Sequence, residues 1–193
     1  PLLRRLAPDL AIVASGGAAL DPDTAWTLEG LGWEVLAGYG LTETAPLISF
    51  TRRGRDTLDD VGRPLDGVDL RLAEVEGKPG GEIQVRGPNV FAGYRGDPEA
   101  TEEAFTNDGW LATGDLGTRD DAGRLRVLAR VKETIVLADG KNVFPETVEG
   151  AIDADPLVAE SMVLEDDGAL AALVVPDAAE ARRRGLGADG VER

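Results

Sequence analysis

The sequence predicts an α/β and α+β fold: the end of a large α/β domain with a small antiparallel β-barrel, followed by a small α+β C-terminal domain. Two observations predict this order. Near the start, two apolar strand candidates each lead into a glycine-rich loop, as strands of open α/β sheets do at their ligand-binding edge. Short strand candidates separated by turn clusters then follow, a pattern typical of antiparallel sheets and barrels. We therefore predict a domain over residues 1–129 and a second one over residues 130–193.

The α/β pattern occupies residues 1–54. Leu10–Ala14 is a short apolar segment with β-branched residues, which predicts a buried strand. Asp21 followed by Pro22 predicts the N-cap and first residue of a helix, which nearby glycines end. Trp33–Ala37 predicts a second strand. The spacing indicates a strand–helix–strand unit whose loops face one edge of a sheet.

Residues 55–129 change to the barrel-like pattern. Turn clusters rich in Asp, Asn, Gly and Pro separate four short strand candidates. These are Val68–Ala73, Glu82–Arg86, Leu111–Ala112 and Leu125–Leu128. Asp97 and Pro98 between them predict a capped helical turn.

Residues 130–193 have an α+β pattern. We predict a strand with a hairpin turn, a helix, a second hairpin and a last capped helix. The strand is Val131–Leu137, its hairpin turn is at 138–141, and the helix begins at Pro145. The second hairpin pairs Leu157–Leu164 with Ala169–Val175, and the last helix begins at Asp177. The Asp-Asp-Gly turn of the second hairpin is a strong signal of its type.

Charge and composition exclude several function classes. The 193 residues include 20 Lys and Arg against 36 Asp and Glu, a net charge of −16 that argues against nucleic acid or an anionic membrane as the main partner. Histidine and cysteine are both absent, so the chain offers no His-based triad, thiolate nucleophile, disulfide or Cys/His metal site. No apolar run approaches the ~18 residues of a transmembrane helix. Carboxylate, hydroxyl, lysine, arginine and backbone chemistry remain.

The most informative segment is residues 38–44, Gly-Tyr-Gly-Leu-Thr-Glu-Thr. Glycines such as Gly40 let a backbone approach a ligand closely, and Tyr39 offers a flat face to an aromatic base. The Thr42 hydroxyl can donate to a phosphate oxygen, and the Glu43 carboxylate can hold Mg²⁺. Together these groups suit a nucleoside triphosphate. The alternative is an ordinary strand-to-loop turn with a solvated glutamate.

Three further segments have a functional and an ordinary interpretation. Residues 15–18 can pass their backbone along a planar ligand or form a tight turn. Asp115 can accept hydrogen bonds from a vicinal diol or form an Asx-turn. Arg130 can reach a ribose or phosphate and Lys132 can act as a pivot, or both can belong to an exposed charged edge strand.

In their order and spacing, these segments resemble the adenylate-forming (AMP-binding) superfamily of acyl-CoA synthetases, luciferases and peptide-synthetase adenylation domains. The resemblance covers most of the chain, from about Leu10 to Glu149. Its strongest segments are residues 38–46, 81–90, 93–94 with 98–101, 109–117, and 132–135 with 140–146. Gly-Lys-Asn-Val-Phe-Pro-Glu at 140–146 is most similar to the long-chain fatty acyl-CoA synthetase branch.

The resemblance implies a role for each candidate residue. Tyr39 would pack against adenine, Thr42 would hold the α-phosphate, Glu43 would hold Mg²⁺ and Asp115 would bind both ribose hydroxyls. Lys132 would be the hinge of the small domain at 130–193, which the resemblance implies is mobile and incomplete. Thr42, Glu43 and Lys132 are thus the implied catalytic residues. The implied ATP- or AMP-binding residues are Gly16, Gly17, Ala18, Tyr39, Gly40, Thr42, Asp115 and Arg130.

The implied activity is that of a cytoplasmic ligase that adenylates a fatty acid with ATP and Mg²⁺ and transfers it to coenzyme A. The family's upstream phosphate loop and its lysine near the C-terminus are missing, so we expect a C-terminal fragment that is inactive in isolation. Two alternatives stay open: an enzyme that loads a carrier-protein thiol, and a non-catalytic remnant. A peripheral membrane contact and the oligomeric state are left open too.

Overall fold

The computed structural model describes residues 7–53, 60–137 and 140–186. The chain divides into two compact units, Pro1–Leu128 and Ala129–Arg193. Helices and antiparallel sheets occur in both units, and the first unit also contains a parallel strand pair. This mixed architecture confirms the predicted α/β and α+β fold class. Within the described ranges, no helix is long and apolar enough to cross a bilayer.

The first sheet has the order β1-β2-β3-β4. Its strands are β1 (Ile12–Gly16), β2 (Glu34–Tyr39), β3 (Ser49–Phe50) and β4 (Arg63–Pro64). β1 and β2 run parallel, whereas β2, β3 and β4 pair antiparallel in turn. The prediction of a buried first strand is wrong: β1 is present, but it is the edge strand of this sheet and its Ile12 is 38% exposed.

Helix α1 (Pro22–Gly30) connects the parallel pair β1 and β2. Asp21 is its N-cap, as predicted, and the carboxylate accepts a hydrogen bond from the Thr24 backbone N–H at 2.8 Å. Ala25 is completely buried and anchors the helix. The crossover places the carboxyl ends of β1 and β2 side by side.

The second sheet is antiparallel in order β5-β6-β7-β8. Its strands are β5 (Asp69–Ala73), β6 (Gly81–Arg86), β7 (Leu111–Arg119) and β8 (Leu125–Arg130), with α2 (Pro98–Ala104) between β6 and β7. The predicted barrel is corrected, because the described strands form an open sheet rather than a closed one. Four strands are too few to close, and Ile48 from beside β3 completes the apolar cluster instead.

The core of the first unit joins its two sheets. Its fully buried members are Ile48, Ile83, Val85, Leu111 and Leu125. Tyr39, at the end of β2, packs against this cluster while staying half-buried. The core therefore fixes the end of β2, and with it Tyr39, relative to β6 and β7.

In its described residues, 129–137 and 140–186, the second unit contains two β-hairpins and two helices. These are β9 (Ile135–Val136) with β10 (Asn142–Val143), α3 (Pro145–Asp153), β11 (Val158–Asp166) with β12 (Ala169–Pro176), and α4 (Ala178–Arg183). Asp167 and Gly168 turn with φ of 50° and 80°, the two positive angles of a type I′ turn. The predicted strand from Val131 is too long, because 131–133 form a turn before β9. Ala138 and Asp139 of the predicted hairpin turn lie outside the described residues.

Candidate functional site

The parallel pair brings two predicted loops together. Gly16 lies opposite Gly38 in the β1–β2 register, so the loop that continues with Gly17 and Ala18 leaves the sheet beside Tyr39. An added Cβ at Gly16 would lie 3.2 Å from the Gly38 carbonyl oxygen. Gly17 and Ala18 are exposed. Backbone and an aromatic ring thus share one edge of the sheet, as predicted from the strand ends.

The loop after β2 folds tightly back on itself at Gly40. A Cβ on Gly40 would lie 1.9 Å from the carbonyl oxygen of Pro46, so only glycine fits. The close neighbour of Gly40 is therefore its own loop. Thr44 is completely buried, and its hydroxyl accepts a hydrogen bond from the Leu41 N–H and donates one to the Leu41 carbonyl, both at 2.9 Å.

These bonds hold a single 3₁₀ turn, Thr42–Thr44, at the surface. The Thr42 side chain is exposed and that of Glu43 is half-buried. A hydroxyl and a carboxylate therefore lie next to each other on a turn that is anchored by the buried Thr44 side chain. Their arrangement suits a phosphate and its metal ion.

Asp115 comes from a distant part of the chain and reaches the same place. The Tyr39 hydroxyl donates a hydrogen bond to Asp115 Oδ2 at 2.6 Å, across 76 residues of sequence. Asp115 is only 6% exposed. A short bond of this kind to a carboxylate is charge-assisted and is stronger than a neutral one. The ring predicted to pack against a base and the acid predicted to hold a diol thus touch.

A bulge in β7 sets the direction of the Asp115 side chain. One β6 residue, Ile83, faces the three β7 residues 113–115, because Glu82 pairs with Leu116 and Gln84 pairs with Ala112. Gly114 takes up the bend with a φ of 73°. The sequence interpretation placed Asp115 after a strand or in an Asx-turn, whereas it lies inside β7.

Thr113 stabilises this bulge with its side chain. Its hydroxyl donates to the Ile83 carbonyl at 2.8 Å and accepts from the Asp115 N–H at 3.1 Å. Thr113 is itself buried. The Asp115 carboxylate therefore projects from a backbone that is fixed on both sides.

Glu43 has a tyrosine partner as well. The Tyr94 hydroxyl donates to Glu43 Oε1 at 2.7 Å, across 51 residues. This hydrogen bond, with partial burial and the negative charge of Glu43, raises the pKa of the Tyr94 phenol. No group of three or more potential metal ligands occurs in the part of the chain that the structure describes. One carboxylate, such as that of Glu43, together with phosphate and water oxygens is a donor set that fits Mg²⁺.

Arg130 and Lys132 belong to the second unit. The Arg130 carbonyl accepts hydrogen bonds from the Thr134 N–H at 3.2 Å and from the Thr134 hydroxyl at 2.9 Å. These bonds close the turn in which Lys132 is exposed. The assignments of Arg130 to ribose and of Lys132 to a hinge stay predictions.

Four residues that organise the site received no role from the sequence. They are Thr44, Asn89, Tyr94 and Thr113. Each lies within a segment that carried the family resemblance, and that was the available signal. The contacts of Asn89, Tyr94 and Thr113 join segments far apart in sequence, so no local pattern could reveal them, whereas Thr44 bonds to Leu41 three residues away.

The chain belongs to the AMP-binding enzyme family, and the sequence pattern of that family matches residues 3–95. It is 41% identical over 152 residues to long-chain-fatty-acid–CoA ligase FadD15 of Mycobacterium bovis, which covers 79% of this chain and 24% of that protein. It is 40% identical over 175 residues to human long-chain-fatty-acid–CoA ligase 6, covering 86% of this chain and 25% of that one. The chain thus spans about a quarter of the length of these relatives.

A solved structure supports the same fold. O-succinylbenzoate coenzyme A synthetase from Bacillus subtilis, in complex with ATP and magnesium ion, superposes with a TM-score of 0.75 at 33% identity. The match covers 86% of this chain and 36% of that protein.

Proposed function

We propose that the protein encoded by this gene is a fatty acid–CoA ligase that activates a long-chain fatty acid as an acyl-adenylate and transfers it to coenzyme A. The observation that carries the proposal is the hydrogen bond from Tyr39 to Asp115. It joins the two groups that would bracket a nucleoside, beside the turn that presents Thr42 and Glu43. The named relatives support a fatty acid as the substrate.

In the first half-reaction, a carboxylate oxygen of the fatty acid attacks the α-phosphorus of ATP. The bond from that phosphorus to the bridging oxygen breaks, and pyrophosphate leaves with the electron pair. The attacking carboxylate is already an anion, so no general base is needed, which fits a chain without histidine. Catalysis then rests on alignment and on neutralising phosphate charge.

The candidate site residues of the first unit share that alignment. Tyr39 and the Gly16–Ala18 loop bind adenine, and Asp115 accepts hydrogen bonds from the ribose hydroxyls. The Thr42 hydroxyl donates to an α-phosphate oxygen. Glu43 holds Mg²⁺, which supplies positive charge to the phosphates when bound.

In the second half-reaction, the sulfur of coenzyme A attacks the acyl carbon. The bond to the adenylate oxygen breaks, AMP leaves and the thiol proton is released. We assign ribose contact to Arg130 and the hinge between these steps to Lys132, with domains at 1–129 and 130–193. The division of the chain after Leu128 supports a boundary here. Cytoplasmic localisation stays a prediction.

Acid-dependent exchange of labelled pyrophosphate into ATP tests the proposal on the gene's full product. We expect exchange with palmitate and formation of palmitoyl-CoA. Glu43→Gln should lower exchange by about a hundredfold, a typical cost of losing one preorganised electrostatic group. Glu76→Gln, on an exposed turn, is the matched control.

Two results would change the assignment. If no carboxylic acid supports exchange, the ligase proposal is refuted. If exchange occurs but the acyl group appears only on a carrier protein and never on coenzyme A, the adenylating half stands and the acceptor is wrong.

A further inference from the structure

The segment 89–94 fastens the turn that carries Glu43. The Asn89 side-chain amide donates to the carbonyls of Thr44 at 3.0 Å and Leu47 at 2.7 Å. The Phe91 N–H donates to the Glu43 carbonyl at 2.8 Å. Three hydrogen bonds thus fix the backbone around Glu43 from one neighbouring segment.

Tyr94 extends this hold to the Glu43 side chain through its bond to Oε1. Its ring meets Phe91 edge-on, with centroids 4.8 Å apart, and Phe91 in turn stacks on Phe105. The Tyr94 N–H donates to the Thr101 hydroxyl at 2.8 Å. Both the ring and the backbone of Tyr94 are therefore fixed, so its hydroxyl points at one carboxylate oxygen.

We propose that Tyr94 is a positioning residue: it occupies Oε1 of Glu43 and so presents Oε2 to a divalent cation bound with the nucleotide. The inference rests on the proposed function, in which Glu43 is the metal ligand. Hydrogen bonds to a ligating carboxylate orient it, and their loss typically weakens metal affinity by about 10–100-fold. Among the described residues, Oε1 has this donor and Oε2 has none.

Exposure separates this role from a structural one. Tyr94 is 41% exposed, so its hydroxyl can bind water instead and does not need Glu43 for stability. A purely structural hydroxyl would be expected in the core. Here it lies at the surface, with its ring held by neighbours, facing the one carboxylate of the turn.

The test compares Tyr94→Phe with wild type in the gene's full product. The variant keeps the ring and its contact with Phe91 and removes only the hydroxyl. We expect the Mg²⁺ concentration for half-maximal pyrophosphate exchange to rise about tenfold, with kcat at saturating Mg²⁺ close to wild type. Thr24→Val is the matched control, because it deletes a hydroxyl that donates to the Asp21 carboxylate at 2.8 Å in a helix cap.

A binding measurement supplies a readout that is independent of turnover. In the presence of a non-hydrolysable ATP analogue, electron paramagnetic resonance measures the concentration of free Mn²⁺ and so gives the Mn²⁺ affinity. Tyr94→Phe should bind Mn²⁺ about tenfold more weakly than wild type. Affinity for AMP without metal should be unchanged. Unchanged Mn²⁺ affinity overturns the inference, as does an equal loss of AMP affinity, which would indicate a structural role.

The two proposals fail separately. If wild-type protein shows no acid-dependent exchange, the ligase function is refuted. The Mn²⁺ affinities of wild type and Tyr94→Phe still decide the role of Tyr94 in that case. Active wild type with an unshifted Mg²⁺ response in Tyr94→Phe overturns only the positioning role. A shift of the same size in Thr24→Val would overturn it too.

Discussion

The chain contains only two tyrosines, and both donate to a carboxylate from a distant segment. The Tyr39–Asp115 pair joins two strands, β2 and β7, and its carboxylate is buried. The Tyr94–Glu43 pair joins a loop to a surface turn, and its tyrosine is exposed. The same chemical contact is thus held once by the core and once by loop hydrogen bonds, which leads to different responses to mutation.

The core-held pair has little freedom. Leu111 and Leu116, on either side of the β7 bulge, are buried, as are Val35 and Leu36 before Tyr39. Moving either partner would disturb close packing. This pair suits the recognition of a rigid nucleoside. The loop-held pair suits a carboxylate that would bind a metal ion together with phosphate oxygens.

The largest effect is expected from a mutation that breaks the core-held pair. Asp115→Ala should weaken AMP binding by about a hundredfold, because charged hydrogen bonds to the ribose hydroxyls are lost. Titration calorimetry measures the affinity, and a thermal melt checks the fold. Asp66→Ala, at an exposed turn, is the control and should bind AMP normally. Unchanged affinity in Asp115→Ala would remove this residue from the nucleoside site.

A smaller effect tests the bulge beneath Asp115. Gly114→Ala and Gly67→Ala both place a side chain at positive φ, 73° and 85°, and each should lose about 1–2 kcal/mol of unfolding free energy. Only Gly114→Ala should also weaken AMP binding, since it shifts Asp115. Urea denaturation and AMP titration separate the two effects. Equal AMP affinity in both variants would contradict the role of the bulge.

The smallest effect compares the two hydroxyls directly. Tyr39→Phe should reduce the free energy of unfolding by about 1 kcal/mol, because the buried Asp115 carboxylate loses a donor. Tyr94→Phe should change it by less than about 0.5 kcal/mol, as surface substitutions usually do. Urea denaturation of both variants measures the difference. A larger loss in Tyr94→Phe would reverse the distinction between the core-held and loop-held pairs.

Local patterns predicted the local structure well. Asp21 and Asp177 cap helices as predicted, because a cap depends on a side chain and the backbone two or three residues away. The hairpin turn at Asp167–Gly168 formed for the same reason. The extent of β7 was missed, because the Thr-Gly-Asp sequence is typical of a turn, whereas in the fold the Thr113 hydroxyl donates to the Ile83 carbonyl and the segment lies within β7.

The amino-acid sequence by itself determined the family, most of the helices and strands in their order and the residue types available for chemistry, since these depend on motifs, composition and short-range spacing. Only the tertiary structure decided that Asp115 meets Tyr39, that Glu43 meets Tyr94 and that the antiparallel sheet stays open. The contact across 76 residues depends on how two sheets pack around Ile48 and its neighbours, and the contact across 51 residues depends on hydrogen bonds between a loop and a turn; no local pattern encodes either.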